Sequence, residues 1–159
     1  MRIIGIDPGN KESGIVGIDW NTHLIPEGSR CEEWSGVYRN EDILPLIASV
    51  DVLAIEWIQS MGMAVGKEVF ETCMWAGRFV QRAKETLCKT EIRLIPRGQI
   101  KLHHCGSARA KDANVAQSLR DKYGQKGTKK EPGYFYGFKS HMWQAFAVAA
   151  VVMEAQHIL

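Results

Sequence analysis

Two carboxylates in this chain stand where carboxylates do chemistry. Arg2-Ile3-Ile4-Gly5-Ile6-Asp7 is a β-branched run ending on a single acid, just before the Pro8-Gly9-Asn10 break. Asp51-Val52-Leu53-Ala54-Ile55-Glu56-Trp57 repeats the form, with one acid near its end. Short apolar runs of this kind are the pattern of strands buried in the middle of a sheet, and they deliver the terminal acid to its rim. If the two strands are neighbours, the carboxylates repel, and both stay ionised only with a cation between them. Hard, oxygen-liganded Mg²⁺ fits that place. Two such ions about 3.5–4 Å apart are the usual means of hydrolysing a phosphodiester. A third ligand is expected from His141, in the first turn of a C-terminal helix, with Gln144 one turn on along the same face. Plainer alternatives stand beside these: Asp7 as the cap of the turn before Pro8, and His141 as a helix-start histidine bonded to a loop carbonyl.

The elements that must position these groups are read from the same sequence. Ser13 to Trp20 runs back as a second strand, with His23-Leu24-Ile25 and Glu33 to Tyr38 as weaker candidates. Glu41 to Ser49 reads as a short helix, and Ala64 to Glu85 as a long one with a stripe of Val69, Cys73, Ala76, Gly77 and Val80. Glu91 to Pro96 is a further strand. Arg97 to His104 reads as a short helix, and Lys111 to Tyr123 as a fuller one ended by Gly124. Gln125 to Gly137, rich in Gly, Lys and Pro, is a loop. Ser140 stands where an N-cap belongs, before a helix from His141 to Gln156 that is apolar on almost every face. The order predicts a single α/β or α+β domain over 1–159, built on a mixed sheet.

The composition, 45% hydrophobic and 24% charged over 159 residues, is that of an ordinary globular domain able to bury a core. Net charge is only +2, but the bases are segregated. Residues 97–130 hold nine Lys or Arg (Arg97, Lys101, Arg109, Lys111, Arg120, Lys122, Lys126, Lys129, Lys130) against two acids, Asp112 and Asp121. Such a segment points to a polyanion partner. Cys31, Cys73, Cys88 and Cys105 form no CxxC, and no signal peptide is visible, which predicts free thiols in a reducing cytoplasm. His103-His104-Cys105 is a poor zinc site, because three adjacent side chains cannot converge on one ion without strain. The longest apolar stretch, Ala145 to Met153, is too short to span a membrane.

Four segments together resemble the RuvC family of Holliday-junction resolvases, in order and over essentially the whole chain. They are Ile4-Gly5-Ile6-Asp7-Pro8-Gly9, Ala54-Ile55-Glu56, the run from Gln99 to Val115, and His141-x-x-Gln144-Ala145-Phe146-Ala147-Val148-Ala149. The region from Gly127 to Trp143 looks more like the phage-encoded branch, which implies the cytoplasm of a bacterial host. The resemblance implies an RNase H-like fold, an α/β structure with a mixed five-stranded sheet flanked by helices. It also implies a homodimer that nicks two opposing strands of a four-way junction.

Asp7 would be the ligand shared by two Mg²⁺ ions and Glu56 the ligand on the adjoining strand, while His141 falls where the family carries Asp or, in some members, His. Lys101 and Lys111 match two family lysines that contact DNA near the scissile phosphate, where they can neutralise developing charge. Arg109, Lys129 and Lys130 of the basic segment are expected to bind the DNA backbone. Met61 and Met63 follow the second acid as the family's junction-engaging loop does, and read either as apolar wedges or as core residues. The long helix would hold the dimer, with Ala76 and Gly77 permitting close approach.

One position departs from the pattern: Gln144 stands where the family usually has a final Asp. The lost charge implies weaker metal binding, a greater reliance on Mn²⁺, or loss of cutting. A branched-DNA-binding protein without cleavage and a ribonuclease H are therefore the competing readings, and forks or flaps could replace junctions as substrate. The Gly5 to Asn10 segment also resembles the phosphate loop of the actin and sugar-kinase superfamily, but those proteins need two such domains.

Overall fold

The apolar runs become neighbouring strands. The computed structural model of the chain describes residues 1–19, 34–48, 50–60, 62–86 and 89–155. Within them Arg2–Asp7 (β1), Glu12–Asp19 (β2), Gly36–Arg39 (β3), Val52–Trp57 (β4) and Glu91–Pro96 (β5) form one five-stranded sheet in the order β3-β2-β1-β4-β5. The first three strands are antiparallel neighbours, whereas β4 lies parallel to β1 and β5 parallel to β4. The carboxyl ends of β1, β4 and β5 therefore share one rim. The candidate strand at His23-Leu24-Ile25 lies outside the described residues.

Among the described residues, five helices flank the sheet: Asn40–Ile43 (α1), Lys67–Glu85 (α2), Arg97–Cys105 (α3), Asp112–Tyr123 (α4) and Met142–Ala155 (α5). The helix expected from Glu41 to Ser49 is cut short. Pro45 supplies no backbone N–H, so α1 tightens into a 3₁₀ turn over Leu44–Leu46. The long helix starts at Lys67 rather than Ala64, after Gly66 in extended conformation. Among the described residues, no helix is long and apolar enough to cross a membrane.

Side chains alternate across a strand, so each strand feeds two cores. Ile3, Val16, Ile18, Val52 and Ala54 face α5, with α3 and α4 packed behind it. Ile4, Ile6, Ile15, Leu53 and Ile55 face the other way, onto Trp75, Ala76, Phe79 and Ala83 of α2 and onto Ile43 and Ile47. Each large side chain withdrawn from water in this way stabilises the fold by roughly 1.5–3 kcal/mol. The buried face of α2 differs from the expected stripe: Thr72, Trp75, Ala76, Phe79 and Ala83 are buried, whereas Cys73 and Gly77 are exposed. The bulk of Trp75 and Phe79 decides the helix's rotation, because those two rings bury far more apolar area than a cysteine and a glycine.

Helix α5 is buried nearly all round, as expected, and it rests on the sheet at two glycines. A Cβ on Gly5 would overlap the carbonyl oxygen of Ala145, and one on Gly14 would overlap the carbonyl of His141. These two missing side chains let the first turn of α5 lie directly on β1 and β2. The segment before α5 is an ordered loop. Gly127 bridges Pro132, and Thr128 N–H donates to the Glu131 carbonyl at 2.9 Å. Phe135 and Phe138 clamp the loop to α5, with ring centroids 4.9 Å from Phe146 and 5.2 Å from Trp143 respectively.

Candidate active site

Alternation also fixes where the two acids point. Ile3 and Gly5 face α5, so Asp7 does too; Val52 and Ala54 face α5, so Glu56 does too. The parallel register pairs Ile6 with Ile55, which brings Asp7 and Glu56, each the next residue, level on adjacent strands. Both are buried, at 6% exposure. The turn after Asp7 is pinned by a buried polar cluster. Ser13 Oγ donates to Asn40 Oδ1 at 2.6 Å and accepts from Gly9 N–H at 3.0 Å, and Asn40 Nδ2 donates to the Gly9 carbonyl at 2.9 Å.

His141 stands immediately before α5, and Ala145 N–H donates to its carbonyl at 3.0 Å. Ser140 is not the cap: its φ of 44° lies in the left-handed region, unlike the extended backbone of an N-cap. The alternative of a histidine bonded to a loop carbonyl gives way to a carboxylate partner, because Nδ1 of His141 lies 2.6 Å from Asp7 Oδ2. An ionised carboxylate only accepts, so Nδ1 carries the proton and Nε2 keeps the lone pair when the ring is neutral. The hydrogen bond to Asp7 raises the His141 pKa against the opposing effect of partial burial. The imidazole opens onto a cleft of about 850 Å³ between the Gly9–Lys11 turn and α2. Gln144 is buried one turn along α5, at 9% exposure.

Glu56 is held from the other side by a residue the sequence reading counted only as part of the basic segment. Arg97, the first residue of α3, places Nη1 3.2 Å from Glu56 Oε1 and directs Nη2 to Asp112 Oδ2. Lys101 Nζ lies 3.2 Å from the other oxygen of Asp112. Arg97 and Asp112 thus join the site, and a local signal for Arg97 exists: it follows a strand end at the same rim. The second oxygen of Glu56, Oε2, is buried without a hydrogen-bond partner. Burial first, and the charge of Asp7 second, push the Glu56 pKa up to about 7.

These residues fit a divalent cation. A buried, unpartnered carboxylate oxygen costs free energy, and a raised carboxylate pKa beside a second acid marks a place where a cation would relieve repulsion. Asp7, Glu56 and the Gln144 amide offer oxygen, and His141 Nε2 offers nitrogen.

The remaining predicted contacts separate. Lys111 is exposed just before α4, its backbone N–H donating to Asn114 Oδ1 at 3.0 Å. Arg109, Lys129 and Lys130 are exposed, the two lysines at the tip of the 127–132 turn. The basic segment is less free than its charge count implies. Arg97, Lys101 and Lys122 pair with Asp112, Glu56 or Glu154, and Arg120 stacks over Trp143. Met63 is 75% exposed, which removes its core-packing reading, and Met61 lies outside the described residues. Ala76 is buried in the core and cannot meet a partner helix.

Among the described residues, the group of three His, Cys, Asp or Glu whose ligand atoms lie within 4.8 Å of one another is elsewhere: His103, His104 and Glu154. Cys105 takes no part, and the Glu154 carboxylate is already taken up by Lys122 Nζ at 2.6 Å, Tyr123 Oη and His103 Nε2 at 2.8 Å. This cluster fastens α3 and α4 to the end of α5. Cys73 and Cys105 are free thiols, as expected, and the other two cysteines lie outside the described residues.

No protein-family model and no curated protein sequence matches the chain. Among solved structures it is similar to RuvC of Thermus thermophilus, at 17% identity with a TM-score of 0.74, over 99% of this chain and 96% of that one. It is likewise similar to T. thermophilus RuvC in complex with Holliday junction substrate, at 18% identity with a TM-score of 0.73 and the same coverage. The expected RNase H-like fold is therefore the fold of this chain.

Proposed function

We propose that this protein is a metal-dependent, structure-selective endonuclease that resolves four-way DNA junctions by paired nicks. The observation that carries the reading is the pair of buried acids, Asp7 and Glu56, level on adjacent strands of an RNase H-like sheet, with Glu56 Oε2 unpartnered. The nearly full-length likeness to a RuvC structure holding a Holliday junction supplies the substrate class.

Asp7, Glu56, His141 through Nε2 and the Gln144 amide oxygen would hold the divalent ions. When bound, such ions supply Lewis-acid activation of a phosphodiester and of water. The chain's own residues do the rest. His141 keeps Asp7 oriented through Nδ1–H, the arrangement in which a ligating histidine donates its other N–H to a carboxylate. Arg97 holds Oε1 of Glu56, while Oε2 has no hydrogen-bond partner and would be the oxygen offered to a metal. Lys101 and Lys111 would neutralise phosphate charge, with Arg109, Lys129 and Lys130 gripping the backbone and Met63 reaching an unstacked base step at the crossover.

A homodimer would form through the exposed face of α2, where Phe70, Cys73, Met74 and Gly77 make an i, i+3, i+4, i+7 stripe open to solvent. Of the two small residues expected at that contact, Gly77 lies on this face and Ala76 does not. Paired nicks require two such sites facing opposite strands.

Cleavage of an end-labelled synthetic four-way junction tests the reading, beside linear duplex and an RNA–DNA hybrid, in Mg²⁺, Mn²⁺ or EDTA. Symmetric metal-dependent nicks that disappear in Asp7→Asn and Glu56→Gln are expected, with Mn²⁺ supporting faster cutting than Mg²⁺ because it accepts an imidazole ligand more readily. Gln144→Asp should narrow that gap by restoring a charge. Junction binding without product in either metal would favour a binding protein, and preferential cutting of the hybrid would favour a ribonuclease H.

A further inference from the structure

The Arg97–Asp112–Lys101 group does more than hold Glu56. Two cations, the Arg97 guanidinium and the Lys101 ammonium, converge on the two oxygens of one carboxylate, Asp112. A fork of this kind matches a phosphate at least as well as a carboxylate, since both present paired oxygens to Arg and Lys. The Asp112 side chain is 47% exposed and that of Arg97 48% exposed, so this pair meets solvent, where ion pairs are weakly held and readily exchanged. Glu56 is different: its side chain is 8% exposed and its bond to Arg97 uses Nη1, leaving Nη2 to change partner without disturbing the acid.

We propose that Arg97 and Lys101 form a phosphate-binding subsite at the mouth of the active site, and that Asp112 is an internal anion occupying it until a nucleic-acid phosphodiester takes its place. The proposal rests on the reading of this rim as a DNA site. Asp112 then acts as an electrostatic latch. Without DNA it neutralises two bases that would otherwise attract any polyanion. With DNA, Nη2 of Arg97 and Nζ of Lys101 pass to a phosphate while Nη1 stays on Glu56, which couples seating of the backbone to the orientation of a catalytic acid. Asp112 opens α4, and the backbone N–H groups of that helix end give its displaced carboxylate a favourable place to rest.

The test is junction binding in EDTA, which needs neither metal nor cutting. Fluorescence anisotropy with a labelled four-way junction is measured across a salt series for the wild-type protein, Asp112→Asn, Arg97→Ala and the double variant, each checked for an unchanged melting temperature. Asp112→Asn should bind about five- to tenfold tighter, as expected for removing one competing charge at a phosphate contact. Arg97→Ala should bind more weakly, with a salt dependence shallower by about one ion. The double variant should gain less over Arg97→Ala than Asp112→Asn gains over the wild type, because only Lys101 is then freed. Unchanged or weaker binding by Asp112→Asn overturns the latch and makes Asp112 a scaffold for the two bases. A gain that persists undiminished without Arg97 overturns it too, as a general charge effect. A wild-type protein that binds no branched DNA instead overturns the functional reading beneath it.

Discussion

At the scale of single residues, Glu56 is the most informative group. Its pKa of about 7 in the folded chain, against an ordinary 4.5, means that between these values the folded state holds a proton the unfolded state has lost. Stability therefore falls as pH rises through that window, and the penalty is complete above it. The ceiling on that penalty is about 3 kcal/mol. Glu56→Gln should therefore raise the melting temperature in EDTA at pH 8 by several degrees, at about 2–4 °C per kcal/mol, and change it little at pH 4. Added Mg²⁺ at pH 8 should raise the wild-type melting temperature and leave that of Glu56→Gln unmoved. Calorimetry at the two pH values checks both statements. His141 bears on metal binding in the opposite sense. Its raised pKa keeps the ring protonated to higher pH, so metal capture through Nε2 should strengthen as pH rises past the usual histidine range.

At the scale of elements, the strands were legible and the helix faces less so. β1, β4 and β5 announce themselves as β-branched runs closed by Pro or an acid, and their shared parallel rim follows once they are neighbours. The rotation of α2 was misread because the helical spacing of Val69, Cys73, Ala76, Gly77 and Val80 suggested the buried stripe, whereas Trp75 and Phe79 supply the buried area. Arg97 and Asp112 were passed over because ion pairs between residues 41 apart, Arg97 with Glu56, and 15 apart, Arg97 with Asp112, leave no periodic trace. Ser140 deceived for a related reason: residue type favoured a cap, but the chain bends there to set His141 on Asp7. The close seat of α5 gives the prediction at this scale. Gly14→Ala drives a methyl group into the His141 carbonyl, so it should cost about 1–3 kcal/mol. It should also abolish cutting out of proportion to that loss, since the imidazole leaves Asp7. Denaturant melts and junction cleavage on one preparation separate the two effects.

At the scale of the whole molecule, the sheet divides the labour between its faces. One face, with α5, holds the acids of the candidate site; the other, with α2, is covered by a helix whose outer side shows Phe70 at 64% exposure and Met74 at 54%. The proposed dimer through that outer side would leave both candidate sites open, and Met74→Lys should then shift sedimentation from dimer to monomer without lowering the melting temperature of the monomer. The docking of α5 has a consequence for how the protein is made. The two acids leave the ribosome early, on strands finished by residue 57, but His141, Gln144 and the helix that buries one whole face of the sheet come more than eighty residues later. A nascent chain therefore holds its acids without their partners, and the hydrophobic seat of α5 stays uncovered until that helix arrives. Fold and candidate site are thus completed together, when α5 seats on Gly5 and Gly14.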